Sequence, residues 1–249
     1  MLRRWIASGL DPAGVTVIDP GSPAVPDDVR VVASVSEAGP RPSTVVLAIK
    51  PQQLDTVVPA LAHLIGKPRL LLSILAGVDH RSLFARFAAG TIVRAMPNLP
   101  VAIGKGMTAL YTVGGDEDGC RDAEALAGPL GRFEWIADES HFDAVTALSG
   151  CGPGFVFRFA DALAAAGAAL GLPADQARRL ALATLEGSAL MAAASDDPPA
   201  TLADRVASPG GSTREGLDVL DRDDALVRLL TETLAASARR NAELAAAAR

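Results

Sequence analysis

Cysteine is scarce: Cys120 and Cys151 are the only two in 249 residues. Two thiols cannot build a disulfide framework, and neither stands with the histidines at metal-ligand spacing, so a structural metal is not expected and a reducing cytoplasm suits the chain. Long apolar runs are also missing. No segment reaches the roughly 20 residues needed to cross a bilayer, and the charged opening Met1 to Leu10 has no apolar stretch behind it to act as a secretion signal. Positive charge is the minority, with 23 Lys and Arg against 29 Asp and Glu and a formal net charge of -6. That field would not draw a polyanion, which argues against nucleic acid or an anionic membrane as partner and leaves small molecules. What the chain has in abundance is apolar side chain, 49%, enough to core one large domain or two small ones.

The apolar residues fall into two patterns. Up to about residue 138, short β-branched runs alternate with helical spacing. Strands are expected at Val15–Asp19, Val29–Ala33, Thr44–Ile49, Arg69–Leu75, Thr91–Met96, Met107–Val113 and Arg132–Ala137. The run Thr44-Val45-Val46-Leu47-Ala48-Ile49 is continuously apolar, as strands buried on both faces of a parallel sheet are. Helices are expected at Pro51–Ile65, Arg81–Ala88 and Glu117–Ala127, the crossovers such a sheet requires. The reading is α/β, a doubly wound, Rossmann-type, mostly parallel sheet over residues 1–138. From 139 to 249 alanine takes over, and Gly and Pro breaks near 150–154, 171–173, 195–199 and 208–212 leave helices near 155–170, 173–194 and 223–248. Helices rich in small residues approach one another closely, so an all-α domain that pairs with a second copy is expected there, although the alanine bias of a GC-rich genome would give the same composition.

In a doubly wound sheet, ligands bind beyond the carboxyl ends of the strands. Lys50 and Pro51 end the Thr44 run, and the residue before proline is held extended; a solvated loop lysine would look the same. Ala76 and Gly77 end the next strand, where a glycine lets a flat ring approach; a plain tight turn explains them equally well. Met96, Pro97 and Asn98 end the one after, with an amide that can both donate and accept, although Asn after Pro is also ordinary turn chemistry. Asp19 closes the Val15 strand, where a carboxylate can bond the 2'-hydroxyl of an adenine ribose; a strand-terminal Asp that starts a turn would look the same. No arginine follows in Pro20-Gly21-Ser22 to meet a 2'-phosphate, which favours NADH over NADPH.

Two further segments lie in the helical part. Ser208-Pro209-Gly210-Gly211-Ser212-Thr213-Arg214-Glu215 has capping-box spacing between Ser212 and Glu215, so a helix should start there behind two glycines. Its bare amides could hold a carboxylate, with the Thr213 hydroxyl free for a neighbouring nitrogen; a plain structural cap has the same pattern. Ser149-Gly150-Cys151-Gly152-Pro153-Gly154 separates two helices, with Pro153 suited to a first turn. Cys151 has no identifiable base among His63, His80 and His141, and reads as a packing residue.

Taken in order, Arg94-Ala95-Met96-Pro97-Asn98, the run Asp143 to Gly150 with Gly152-Pro153, and Ser208 to Thr213 resemble the signature stretches of the pyrroline-5-carboxylate reductases. The resemblance implies reduction of 1-pyrroline-5-carboxylate to proline by NADH or NADPH, the last step of proline biosynthesis, in a homodimer or a higher oligomer built from dimers. It implies that Lys50, Pro51, Ala76, Met96, Pro97 and Asn98 line the cofactor, beside the Asp19 that the strand-end reading adds. Ser208, Gly210, Gly211, Ser212 and Thr213 would hold the substrate's carboxylate and ring nitrogen, with Thr213 catalytic and Asp196 standing where the family often has glutamate. Leu99, Cys151 and Gly154-Phe155 depart from the family pattern without removing any of these groups. Because Met1, Ile6, Gly9 and Leu10 align with the family's first helix, its first strand and glycine-rich phosphate turn are expected to be missing. That implies a start-site error or truncation, a sheet lacking a central strand and weak dinucleotide binding. An inactive homologue binding proline-like carboxylates, or a reductase of another imino or 2-hydroxy acid, would share the pattern; dinucleotide titration and a substrate panel separate them.

Overall fold

The computed structural model describes residues 1–39 and 41–247. A short helix α1 (Leu2–Ala7) leads to β1 (Thr16–Ile18) and β2 (Arg30–Val32), then β3 (Thr44–Leu47), α2 (Leu54–Ile65), β4 (Leu70–Ser73), α3 (His80–Arg86) and β5 (Thr91–Pro97). There follow β6 (Gly106–Tyr111), α4 (Glu117–Ala127), β7 (Gly131–Trp135) and α5 (Phe142–Val145), which runs into a π-helical turn at Thr146–Gly150. The remainder is helical: α6 (Gly152–Ala169), α7 (Ala174–Ala193), α8 (Pro199–Val206), α9 (Ser212–Asp221) and α10 (Ala225–Ala247). All seven expected strands form, each within two residues of its expected start.

The strands fall into two ladders. β1 and β2 make a parallel pair, and β3-β4-β5-β6-β7 a five-stranded sheet that is parallel except where β6 runs against β5. Among the described residues β1 ladders only with β2, and β3 only with β4. As an edge strand among the described residues, β3 buries Leu47 but leaves Val45 and Val46 half-buried, so the expectation of burial on both faces is met only in part.

Alternation along β4 and β5 puts a helix layer on each side. Leu71 and Ile92 face one way, packing with Leu54 and Leu61 of α2 and Leu83 of α3. Leu70, Leu72, Val93 and Ala95 face the other, against Ala123 and Ala127 of α4. On that same side Trp5 of α1 joins Val101 and Leu130, and its indole donates to the Leu126 carbonyl at 2.6 Å. Leu70, Leu71, Leu83 and Leu110 have no exposed surface; burial on that scale contributes about 1.5–3 kcal/mol per side chain, so this sandwich fixes where the strand ends stand. α4 starts where Asp116 accepts from the Gly119 amide at 2.6 Å, an N-cap of the usual kind.

The chain divides into two compact units, Met1–Cys151 with Ser237–Arg249, and Gly152–Ala236. Within the second, α6 and α7 form an antiparallel hairpin, with Ala160, Ala177 and Ala181 buried and Gly167 beside Ala177. Alanine and glycine at the seam allow that close approach. α8 was not expected: Pro199 occupies a first-turn position, where its missing amide hydrogen costs nothing and its fixed φ suits the helix. No helix of the described residues is long and apolar enough to cross a membrane, and no group of three His, Cys, Asp or Glu among them is placed to hold a metal ion.

Candidate functional site

In the first unit, the ends of three neighbouring parallel strands carry expected site residues. Lys50, past β3, is extended (φ -71°, ψ 138°), as a residue before proline must be, and Pro51 opens a single 3-10 turn. Lys50 is exposed and its amide donates to the Gln53 side chain at 3.3 Å. Past β4 the chain turns at Ala76 and Gly77. Ala76 is exposed, while Gly77 has φ +76° and a side chain there would strike the backbone of Ala245 at 2.8 Å. Only glycine meets both demands. Asp79 then caps α3 by accepting from the Ser82 amide at 2.7 Å.

At the end of β5, Met96 is buried and Pro97 and Asn98 are half-buried. The Asn98 amide works at both ends: its oxygen accepts from the Met107 amide at 2.9 Å, and its nitrogen donates to the Ser149 carbonyl at 3.2 Å. It therefore pins the π-helical turn to the strand end, keeping one further donor and one further lone pair for a ligand. Asp19 belongs to the separate β1-β2 pair. Its carboxylate accepts from the Gly21 amide at 2.7 Å, closing the turn through one oxygen.

One feature of this unit was missed in the sequence. Arg94 lies inside the apolar β5 yet is 6% exposed. Its guanidinium sits 4.0 Å above the Phe142 ring and donates to Glu139 at 2.6 Å. The same Glu139 oxygen accepts from the His80 amide, also at 2.6 Å. Tyr111 packs edge-on to both His80 and Phe142, and burial, then the charge of Glu139, pushes its phenol above the ordinary range. An arginine in an otherwise apolar strand was the available signal.

In the second unit, Ser208 to Thr213 form one contiguous turn. Gly210 has φ +69°, the Gly211 amide donates to the Ser208 carbonyl at 2.9 Å, and α9 begins at Ser212. The expected capping box is not made. Gly211 takes the N-cap position and, among the described residues, no side chain caps the first turn, because the Gly210 turn brings the chain into the helix one residue earlier than the Ser212–Glu215 spacing suggests. Ser208, Gly210, Ser212 and Thr213 are exposed, so the first-turn amides are left uncapped. Asp196 is an exposed residue of the α7–α8 connection. Next to it Asp197 pairs with Arg205 of α8, and Asp204 of α8 pairs with Arg214 of α9 at 2.7 Å, so α8 ties that connection to the start of α9.

The model of the pyrroline-5-carboxylate reductase dimerisation domain matches residues 139–244. A curated pyrroline-5-carboxylate reductase of Pseudomonas aeruginosa is 36% identical over 248 residues, spanning 96% of this chain and 90% of that one. The solved structure of a pyrroline-5-carboxylate reductase from Coxiella burnetii superposes with a TM-score of 0.87 at 29% identity, covering 98% of this chain and 93% of that one. The Plasmodium falciparum pyrroline carboxylate reductase, solved with NADP bound, shares the fold at a TM-score of 0.84 and 24% identity, covering 98% and 92%.

Proposed function

The chain belongs to the pyrroline-5-carboxylate reductase family, and we propose from that premise that it reduces 1-pyrroline-5-carboxylate to L-proline, the closing step of proline biosynthesis. The observation that carries the substrate assignment is the uncapped start of α9. Bare amides at the positive end of a ten-residue helix suit the carboxylate of a small cyclic amino acid. Ser208, Gly210, Gly211 and Ser212 would cradle it, with Asp196 on the connection that α8 ties to the start of α9.

The substrate is a cyclic imine. Reduction adds a hydride to the imine carbon and a proton to the nitrogen, giving a secondary amine. A nicotinamide cofactor supplies the hydride. Its site would be built by Lys50, Pro51, Ala76, Met96, Pro97 and Asn98. The exposed Ala76, with only a methyl for a side chain, and the spare hydrogen-bonding capacity of Asn98 fit a flat ring bearing a carboxamide. The protein's own work is then alignment, worth several kcal/mol of barrier when two reactants are held in register. Thr213, exposed in the first turn of α9, would offer its hydroxyl to the ring nitrogen as the proton arrives there.

Asp19 favours NADH, since one carboxylate oxygen remains for ribose hydroxyls and its charge repels a 2'-phosphate. The functional division would fall between a dinucleotide part, residues 1–138, and a helical dimerisation and substrate part, residues 139–249. In the second unit Phe157, Phe159, Leu163, Leu182, Leu190 and Leu229 are exposed, more apolar surface than a monomer usually leaves wet, which supports a homodimer. The free thiols of Cys120 and Cys151 suit a reducing cytoplasm. The test is to follow cofactor oxidation with 1-pyrroline-5-carboxylate under NADH and then NADPH. Proline formation with a higher kcat/KM for NADH is expected. Binding of proline without turnover, or turnover only of another imino acid, overturns the reading.

A further inference from the structure

We propose that Glu139 is a positioning residue for the reduction: its carboxylate straps together the two strand-end segments that line the cofactor, without touching either reactant. The inference rests on the cofactor site proposed above.

The geometry is a three-way junction at one oxygen. From β5, the Arg94 guanidinium donates to Glu139 Oε1 at 2.6 Å, and Arg94 lies two residues before Met96, on the same face of the strand. From α3, the His80 amide donates to that oxygen, again at 2.6 Å, and His80 follows directly on the Ala76–Gly77 turn and Val78-Asp79. The junction therefore couples Ala76 to Met96, the residues on either side of the proposed ring. Glu139 itself opens a 3-10 turn, Glu139–His141, which Asp138 caps by accepting from the Ser140 amide at 2.8 Å. That turn leads into α5 and the π-helical segment, where the Ser149 carbonyl takes the Asn98 amide and Gly150 lies against Met96. A π-helical turn of this kind is often kept at a functional site.

Stability is a poor reason to keep such a pair. Arg94 sits among Ile92, Val93, Ala95 and Met96, all buried, while Glu139 is only half-buried; the buried guanidinium carries a desolvation cost that an apolar side chain of equal volume would not. What the pair supplies that leucines would not is direction, two short charge-assisted bonds that fix one segment against the other. Nor does the junction suit a ligand of its own. The cleft of about 270 Å³ beside Gly77 and Arg94 is also lined by Asp79, Glu139 and Asp143, so carboxylates outnumber the one guanidinium and an anion would be repelled.

The experiment compares wild type, Glu139→Gln and the double variant Arg94→Met/Glu139→Gln, measuring melting temperature, kcat, and KM for cofactor and for 1-pyrroline-5-carboxylate. Glu139→Gln leaves Arg94 buried without its counter-charge, so the melting temperature should fall. The cofactor KM should rise about tenfold, equivalent to about 1.4 kcal/mol of cofactor binding, while the imino-acid KM stays within about twofold. The double variant removes the stranded charge, so the melting temperature recovers; a positioning role keeps the cofactor KM high. Recovery of that KM along with the melting temperature, or an unchanged KM in Glu139→Gln, makes Glu139 merely structural and overturns the proposal. Absence of turnover in the wild type overturns the functional reading beneath it, and the proposal falls with it.

Discussion

Gly77→Ala separates two costs that usually arrive together. A methyl group at this position must adopt φ +76° and would lie 2.8 Å from the Ala245 α-carbon, 3.0 Å from its β-carbon and 3.2 Å from its nitrogen. The left-handed backbone costs an ordinary residue about 1–2 kcal/mol. Carbon atoms settle at about 3.5–4.0 Å, so the end of α10 must also withdraw by roughly 1 Å, and overpacking of that kind costs about 1–3 kcal/mol more. Gly9→Ala isolates the first cost, since Gly9 has φ +104° and nothing within 4 Å of where its β-carbon would stand. Trp5 and Trp135, the only tryptophans, lie in the same compact unit as Gly9, Gly77 and Ala245, so urea unfolding followed by tryptophan emission reports on both variants. Gly77→Ala should lose about 2–5 kcal/mol, the sum of the two terms, and Gly9→Ala only the backbone share. Hydrogen exchange over residues 241–247 should speed up in Gly77→Ala alone. If the two variants lose equal stability, the packing of α10 on the turn is not what reserves this position for glycine.

Thr213→Ala should lower turnover about a hundredfold, the scale for a missing proton-handling group, with sedimentation of the oligomer unchanged; unaltered turnover removes Thr213 from the chemistry. The Ser140 amide holds the Asp138 carboxyl below its ordinary value of 3.8. A carboxyl lowered in the folded state adds stability above its unfolded pKa, and that stability is lost as pH falls through the folded one. Asp138→Asn should therefore melt lower than wild type at pH 7, and the difference should vanish in the acid range below 3.8; a gap that persists there excludes the charge as its cause.

Much of the fold could be read from residue order because local chemistry and tertiary packing agree. Asp116 and the apolar spacing of Ala123 and Ala127 mark α4 at both ends, and the helix is Glu117–Ala127 as expected. Strand direction was less visible, since inward and outward residues alternate alike in either sense. Yet the connection Asn98–Lys105 between β5 and β6 is shorter than the dozen or so residues a parallel crossover needs, and that brevity already forced β6 to run antiparallel. Burial of the Thr44 run was only partial, with Leu47 buried and Val45 and Val46 half-buried, for a different reason. Its residues have the apolarity of a central strand, but apolarity does not count neighbours, and among the described residues β3 ladders with β4 alone.

The site divides along the same line between local and long-range causes. Ala76, Met96 and Asn98 could be singled out because strand ends in such sheets are where ligands go, a rule that needs only the strand bounds. The start of α9 was legible as a helix start but not as an open one: the Ser212–Glu215 spacing permits a capping box, and only the Gly210 turn decides that Gly211 takes the N-cap instead. Arg94 was passed over because its apolar neighbours explain the strand without it. Its meaning depends on Glu139, 45 residues away, and on a ring and an amide from two further elements. A charge inside an apolar strand is therefore the one local sign of a junction assembled from distant parts. Burying it unpaired would cost several kcal/mol, so a chain that keeps the arginine in this strand must keep a partner for it too.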